Sequence, residues 1–122
     1  MSRRSLIWID GAAGATAGVL ALLAREWLSE LYKLPLDHLI LMGVANLAYA
    51  FYALALASRA MRPLVYIRVL VIANAIWACL CMWWAAMYGE TASVFGLAHL
   101  VGEGLFVGGL AILEWRWRYD LV

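Results

Sequence analysis

The segment FGLAHLVGEGLFVGGLAILEWRWR, residues 95 to 118, decides the class of this protein. It is apolar except for a histidine and a carboxyl group near its middle and charged residues near its end. Its apolar part is about 20 residues long, which is the length an α-helix needs to cross the hydrocarbon core of a bilayer. The segment therefore predicts a transmembrane helix.

The composition of the whole chain agrees with this prediction. Hydrophobic residues make up 67% of the 122 residues and charged residues 14%, and the mean hydropathy is +0.87. Soluble domains are roughly half apolar and about a quarter charged. We predict one all-α domain, residues 1–122, that forms an integral membrane bundle of four transmembrane helices. The predicted spans are 6–24, 36–57, 64–88 and 93–113.

The connections between the spans are short. In REWLSELYKLP, residues 25 to 35, Trp27, Leu31 and Leu34 recur at helical spacing, which predicts a short interfacial helix between the first two spans. The other two connections, SRAMRP and MYGETAS, are tight. We therefore expect the second and third spans, and the third and fourth, to be antiparallel neighbours.

The distribution of cations predicts the orientation of the bundle. Lysine and arginine resist translocation, and the side that holds both termini carries most of them: Arg3, Arg4, Arg59, Arg62, Arg116 and Arg118. Only Arg25 and Lys33 lie on the other side. We expect both termini in the cytoplasm and the protein in a bacterial inner membrane. The net charge of +1 and the scattered cations do not indicate a nucleic-acid partner.

His99 and Glu103 are the candidate functional pair. They lie four residues apart, so they are neighbours on one face of the fourth span. An ionisable group at mid-membrane costs about 3 kcal/mol on insertion scales and needs partners. Asn46 and Asn74 lie near the midpoints of the second and third spans, and we expect their amides to bond to Glu103. The cluster is either a binding or proton-linked site or a polar tie that fixes helix register.

Asp10 and Arg68 are the second candidate pair. Each lies a few residues inside the membrane on the side of the termini, in the first and third spans. A salt bridge would lower the cost of both charges in the bilayer. We predict a structural ion pair.

Glycines supply the helix-packing pattern. Gly14 and Gly18 form a GxxxG motif in the first span, and Gly104 and Gly108 form another in the fourth. The second motif lies on a different face from His99, so it is available to a neighbouring helix or to a second subunit. We expect a homodimer, or an assembly with another membrane subunit.

Cofactors and catalysis have weaker sequence signals. His38 and His99 are the only histidines, and two imidazoles are able to hold haem b or, with sulfur ligands, a soft metal. No metal-binding repeat accompanies them, so the main expectation is no cofactor. No GxSxG, HExxH or phosphate-binding glycine loop is present, and the sequence does not predict an enzyme.

Three resemblances accompany these motifs. The HxxxE pair is similar to that of sterol-isomerase-like membrane proteins. Four spans in a short chain resemble small multidrug resistance transporters, although those carry their functional acid within the first helix, where this chain has only Asp10 near one end. The ending FGLAHLVGEGLFVGG…EWR resembles small bacterial four-helix inner-membrane proteins of unassigned function. The last resemblance covers about a third of the chain and implies the architecture and location, not catalytic residues.

These observations predict a small integral membrane protein, embedded in the lipid bilayer, that binds or transports a small solute or lipid. Proton linkage through His99 and Glu103 is part of this hypothesis. The alternative is a structural or accessory membrane subunit without its own chemistry. The third possibility is a haem-binding or metal-binding membrane protein.

Overall fold

The computed structural model describes residues 2–122, and this part of the chain is helical without strands. After a short 3-10 turn at Arg3–Ser5, the elements are α1 (Leu6–Leu23), α2 (Arg25–Tyr32), α3 (Leu36–Ala57), α4 (Leu64–Met87), α5 (Val94–Arg116) and α6 (Arg118–Leu121). Four of them, α1, α3, α4 and α5, are long and apolar enough to cross a membrane. The predicted fold class, including the short helix between the first two spans, is confirmed.

The helix boundaries follow from local chemistry. Pro35 and Pro63 stand in extended conformation immediately before α3 and α4, where the missing N–H of proline breaks no helical hydrogen bond. Ser93 caps α5, because its hydroxyl accepts a hydrogen bond from the amide of Gly96. Lys33 ends α2 in the left-handed conformation, with φ of 54°. Each connection is thereby kept short.

Both glycine motifs pack helices inside the chain. A Cβ on Gly18 would lie 2.9 Å from the carbonyl oxygen of Gly43, so α1 and α3 approach at backbone distance. In the same way, a Cβ on Gly104 would lie 2.9 Å from the sulfur of Met82, and one on Gly108 would lie 3.5 Å from the Cβ of Ala78. The ridge of α5 is therefore occupied by α4. The homodimer stays a prediction, without a free glycine ridge to support it.

The bundle consists of two helix pairs. α1 packs along α3, and α4 packs along α5, as expected for the last two spans. The predicted neighbours α3 and α4 are joined by side-chain contacts, from the Tyr52 hydroxyl to the carbonyl of Tyr66 and from His38 to Trp84, but their backbones approach each other closely at few positions. The small residues that permit close approach lie within the pairs, which leaves space between them.

The two ends of the bundle are closed by separate contacts. On the side of the termini, Arg3 and Asp120 form an ion pair of 2.7 Å, and Arg62 donates hydrogen bonds to the carbonyls of Arg4 and Leu121. On the opposite side, the amide of Ser93 donates to the carbonyl of Tyr32 at 2.8 Å, which ties α2 to the start of α5. We call these two ends of the bundle the termini side and the α2 side. Apolar clusters fill the core near each end.

Candidate functional site

A cavity of about 500 Å³ lies between the two helix pairs. All four membrane-length helices line it, and much of its wall consists of small residues: Ala13, Gly14, Ala17, Ala45, Ala73 and Gly102. Side chains of this size do not fill the gap between the two helix pairs. We call this space the central cavity.

His99 and Glu103 lie side by side in the wall of the central cavity. The His99 Nε2 is 3.1 Å from the Glu103 Oε1, and the His99 Nδ1 is 3.1 Å from the hydroxyl of Tyr32 in α2. The indole of Trp77 donates a 2.6 Å hydrogen bond to the Glu103 Oε2, and the thiol of Cys81 lies 3.6 Å from the same oxygen. Side chains from α2 and α4 therefore converge on this pair in α5.

The hydroxyl of Tyr32 is the partner of His99 outside α5. Burial, and then the negative charge of Glu103, raise the pKa of the Tyr32 hydroxyl, which stays protonated. A hydroxyl both donates and accepts, so Tyr32 is able to donate to a neutral His99 or to accept from a protonated one. The His99 Nε2 faces the Oε1 of Glu103, so this contact is a hydrogen bond whenever the Nε2 carries a proton.

The asparagines that were predicted to bond to Glu103 bond to other groups. Asn74 donates to Asp10 at 2.9 Å and to Glu114 at 2.7 Å, and Asn46 donates to the carbonyl of Met42 in its own helix. The reason is the register of α4 against α5. With Gly104 against Met82, Glu103 meets Trp77 and Cys81, while Asn74 meets the end of α5. The midpoints of the spans alone do not predict this axial offset between α4 and α5.

The predicted ion pair between Asp10 and Arg68, both in the described part of the chain, is not formed. Arg68 is exposed on α4. It lies six residues before Asn74, which places it about 120° away around the helix, on a different face from the one that meets Asp10. Asp10 instead accepts hydrogen bonds from Asn74 and from the hydroxyl of Tyr49, the latter at 2.5 Å.

Asp10, Asn74 and Glu114 form a second polar group, which we call the carboxyl cluster. They are nearly inaccessible to solvent, with exposures of 3%, 2% and 0%. Asp10 and Asn74 line the central cavity together with Tyr49. In the sequence, Glu114 lies on the same face of α5 as His99 and Glu103, and this spacing was the signal that could have identified it as a buried polar residue. Its position next to Asp10 depends on packing between the two helix pairs, which the sequence does not show.

Residues of both α1 and α5 line the central cavity, and we call the boundary between these two helices the seam. These two helices make little contact with each other. Along this seam Leu20 is 57% exposed and Phe106 is 51% exposed. A second cavity of about 280 Å³ extends from the seam toward α2, and Asn46, His99 and Glu103 line both spaces. The His99–Glu103 pair therefore lies where the two cavities meet.

His38 makes no hydrogen bond to the His99–Glu103 pair and packs against other residues. Its ring is buried in α3 and packs edge-on against Trp84, with centroids 4.5 Å apart, and against Tyr88. Its Nε2 is buried without a hydrogen-bond partner, whereas both nitrogens of His99 have one. Residues 2–122 contain no group of three or more histidine, cysteine, aspartate or glutamate side chains arranged to hold a metal ion.

The central cavity is thus a mostly apolar space with ionisable groups at two levels of its wall. The chain as a whole matches no protein-family model, no curated protein and no solved structure.

Proposed function

We propose that the protein binds a small amphiphilic molecule in the central cavity, within the membrane, and holds the polar group of that molecule at His99 and Glu103. The observation that carries this proposal is a cavity of about 500 Å³ whose apolar wall contains that pair. Small-molecule sites have volumes of about 300–1,000 Å³ and combine apolar walls with a few polar groups. The seam between α1 and α5 gives a route from the lipid.

The charges in the wall favour a positively charged polar group. Asp10 and Glu103 line the central cavity, and none of the lysines or arginines of residues 2–122 does. Trp77 and Phe106 add aromatic faces, which attract cations through their ring electrons. The best-matched ligand is therefore a lipophilic cation, such as an organic amine in its protonated form.

Proton linkage follows from the same pair. Glu103 attracts a cation when it is ionised and loses that attraction when a proton neutralises it. Cation binding should therefore weaken as the pH falls and Glu103 takes up a proton. In a closed membrane, alternate exposure of this site would couple proton movement to movement of the ligand.

A matched pair of ions tests the proposal. Tetraphenylphosphonium and tetraphenylborate have nearly the same size and apolar surface but opposite charge. We expect tetraphenylphosphonium to bind saturably to the purified protein in nanodiscs, measured by quenching of tryptophan fluorescence, and tetraphenylborate to bind at least tenfold more weakly. Equal binding of the two ions would contradict a cation site.

Two variants locate the site. Glu103→Gln should weaken tetraphenylphosphonium binding at least tenfold and remove its pH dependence, because the amide carries no charge. Glu90→Gln removes a carboxylate from the exposed connection before α5 and should leave binding unchanged. A wild-type protein that binds neither ion, together with a lower unfolding temperature of Glu103→Gln, would instead support the accessory-subunit hypothesis.

A further inference from the structure

We propose that Asp10, Asn74 and Glu114 form a proton-binding site at the termini-side end of the central cavity, in which the two carboxyl groups hold one proton between them. This site is separate from the His99–Glu103 pair. Glu114 lies 11 residues beyond Glu103 in α5, which corresponds to about 16 Å along the helix. The proposal does not depend on which ligand the cavity binds.

The first argument is the absence of a compensating charge. Asp10 comes from α1, Glu114 from α5 and the amide between them from α4. The same amide nitrogen lies 2.9 Å from the Asp10 Oδ2 and 2.7 Å from the Glu114 Oε1, so these two oxygens are at most 5.6 Å apart. Two ionised carboxylates this close repel each other strongly inside a low-dielectric core, so one proton between them is the stable arrangement.

The groups on every neighbouring element agree with this argument. From α3, Tyr49 contributes a neutral hydroxyl that donates to Asp10. From α4, the Arg68 side chain is exposed, and the buried Arg62 that precedes this helix donates to backbone carbonyls. The remaining arginines toward this end do not contact the carboxyl cluster. Arg3 pairs with Asp120, and Arg4 and Arg118 donate to the backbone carbonyls of Ala60 and Trp115. Arg59 and Arg116 are exposed.

The second, independent observation concerns the hydrogen bonding of Glu114. The Oε2 of Glu114 is buried and has no hydrogen-bond partner among the described residues. A bare carboxylate oxygen in this position would lose its hydration without replacement, whereas a protonated oxygen would not carry that charge. Asp10, in contrast, accepts from both Tyr49 and Asn74 through one oxygen. Two donors therefore reach Asp10 and one reaches Glu114, so Glu114 is the carboxyl group that gains more from the shared proton.

The orientation of Asn74 favours a proton over a metal ion as the occupant. Its amide nitrogen, the positive end of the group, donates to both carboxyl groups. Hard cations are coordinated by oxygen, so a metal site here would need the amide oxygen in that position. Because Asp10 and Asn74 line the central cavity, the proton site faces a space that water and ligands can enter.

Infrared difference spectroscopy of the whole protein in nanodiscs tests the site. The carbonyl stretch of a protonated, buried carboxyl should be present at neutral pH, shift in D₂O and disappear at high pH as the proton leaves for water. Glu114→Gln should remove this band. Glu103→Gln should leave it in place, even if tetraphenylphosphonium binding is lost, which separates this proposal from the proposed function.

Unfolding provides a second measurement on the same proteins. The wild type should lose thermal stability as the pH rises and the pair becomes doubly ionised, whereas Glu114→Gln should lose little, because glutamine mimics the protonated acid. A neutral-pH wild type without the band, or a Glu114→Gln protein that retains it, would overturn the proposal. Stabilisation of the wild type by Na⁺ that is absent from Glu114→Gln would overturn it in favour of a cation site.

Discussion

A carboxylate inside a membrane protein depends on the donors around it, and Glu103 has Trp77, His99 and Cys81 as neighbours. The indole of Trp77 makes the shortest of these contacts, 2.6 Å, and reaches Glu103 from the neighbouring helix. A hydrogen bond to a charged group contributes about 1.5–3 kcal/mol. Trp77 is therefore the residue outside α5 that best fixes Glu103 in the cavity wall.

Replacement of this indole tests its contribution. Trp77→Phe keeps an aromatic ring but removes the N–H donor, and we expect it to lower the free energy of unfolding by about 1–3 kcal/mol. The measurement is a titration with denaturing detergent, followed by circular dichroism. Trp83→Phe is the matched control, because Trp83 lies on an exposed face of the same helix. Equal losses in the two variants would contradict a specific role for the Trp77 indole.

The contact within the His99–Glu103 pair could be predicted from sequence, but its partners could not. The spacing of four residues on one helix fixes the neighbourhood of His99 and Glu103, and the structure places them 3.1 Å apart. Partners on other helices depend on the axial offset between helices. That offset is set by which side chain faces Gly104, and hydropathy does not encode it.

At the scale of helices, close approach depends on a few positions without a side chain. Gly18 meets the backbone of α3 at Gly43, where a Cβ would be only 2.9 Å from a carbonyl oxygen. A backbone atom cannot move aside as a flexible side chain can. The interface between α1 and α3 therefore tolerates an added side chain less well at Gly18 than at Gly14, where the atom nearest to a Cβ would be 3.4 Å away.

Substitution at this position gives a prediction for the helix pair. Gly18→Ala should force α1 and α3 apart and lower the free energy of unfolding by about 1–3 kcal/mol, as overpacked cores do. Gly109→Ala is the control, since nothing lies within 4 Å of a Cβ at Gly109. Detergent-induced unfolding should separate the two variants. A Gly18→Ala protein as stable as Gly109→Ala would mean that the pair is less tightly packed than described.

The positions of the four long helices could largely be predicted from the sequence, but the end of the last one could not. The fourth span was expected to end at 113, where the hydropathy falls, yet α5 continues to Arg116. Glu114 remains inside the bundle because Asn74 donates to it. A hydropathy profile places the end of a membrane span at a carboxyl group, but this is wrong when a residue from another helix bonds to that group and buries it. Local sequence patterns contain no information about such a partner.

At the scale of the whole molecule, the space between the two pairs is the property on which function depends. The apolar clusters close the core near both ends and leave the middle open. Gly102 lies in the cavity wall, and a Cβ there would meet nothing within 4 Å. A large side chain at this position would occupy the cavity without displacing a helix.

Filling the cavity separates binding from folding. Gly102→Phe should leave the unfolding temperature within about 1–2 °C of the wild type, a shift that corresponds to a few tenths of a kcal/mol, and weaken tetraphenylphosphonium binding at least tenfold. Gly109→Phe adds the same ring on α5 at a position that does not line the central cavity, and should preserve binding. Fluorescence quenching and a thermal scan measure both properties. Undiminished binding by Gly102→Phe would place the ligand elsewhere.

The two-pair arrangement also has a consequence for biosynthesis. Each pair is built from consecutive segments, 6–57 and 64–116, so each can complete its own packing as a hairpin soon after it leaves the ribosome. Contacts local in sequence form fastest. Asp10 accepts a hydrogen bond from Tyr49 within the first hairpin, but its second donor, Asn74, reaches it only when the second hairpin docks. The gain of this second donor would then help to drive the late step of assembly that joins the hairpins around a still-open interior.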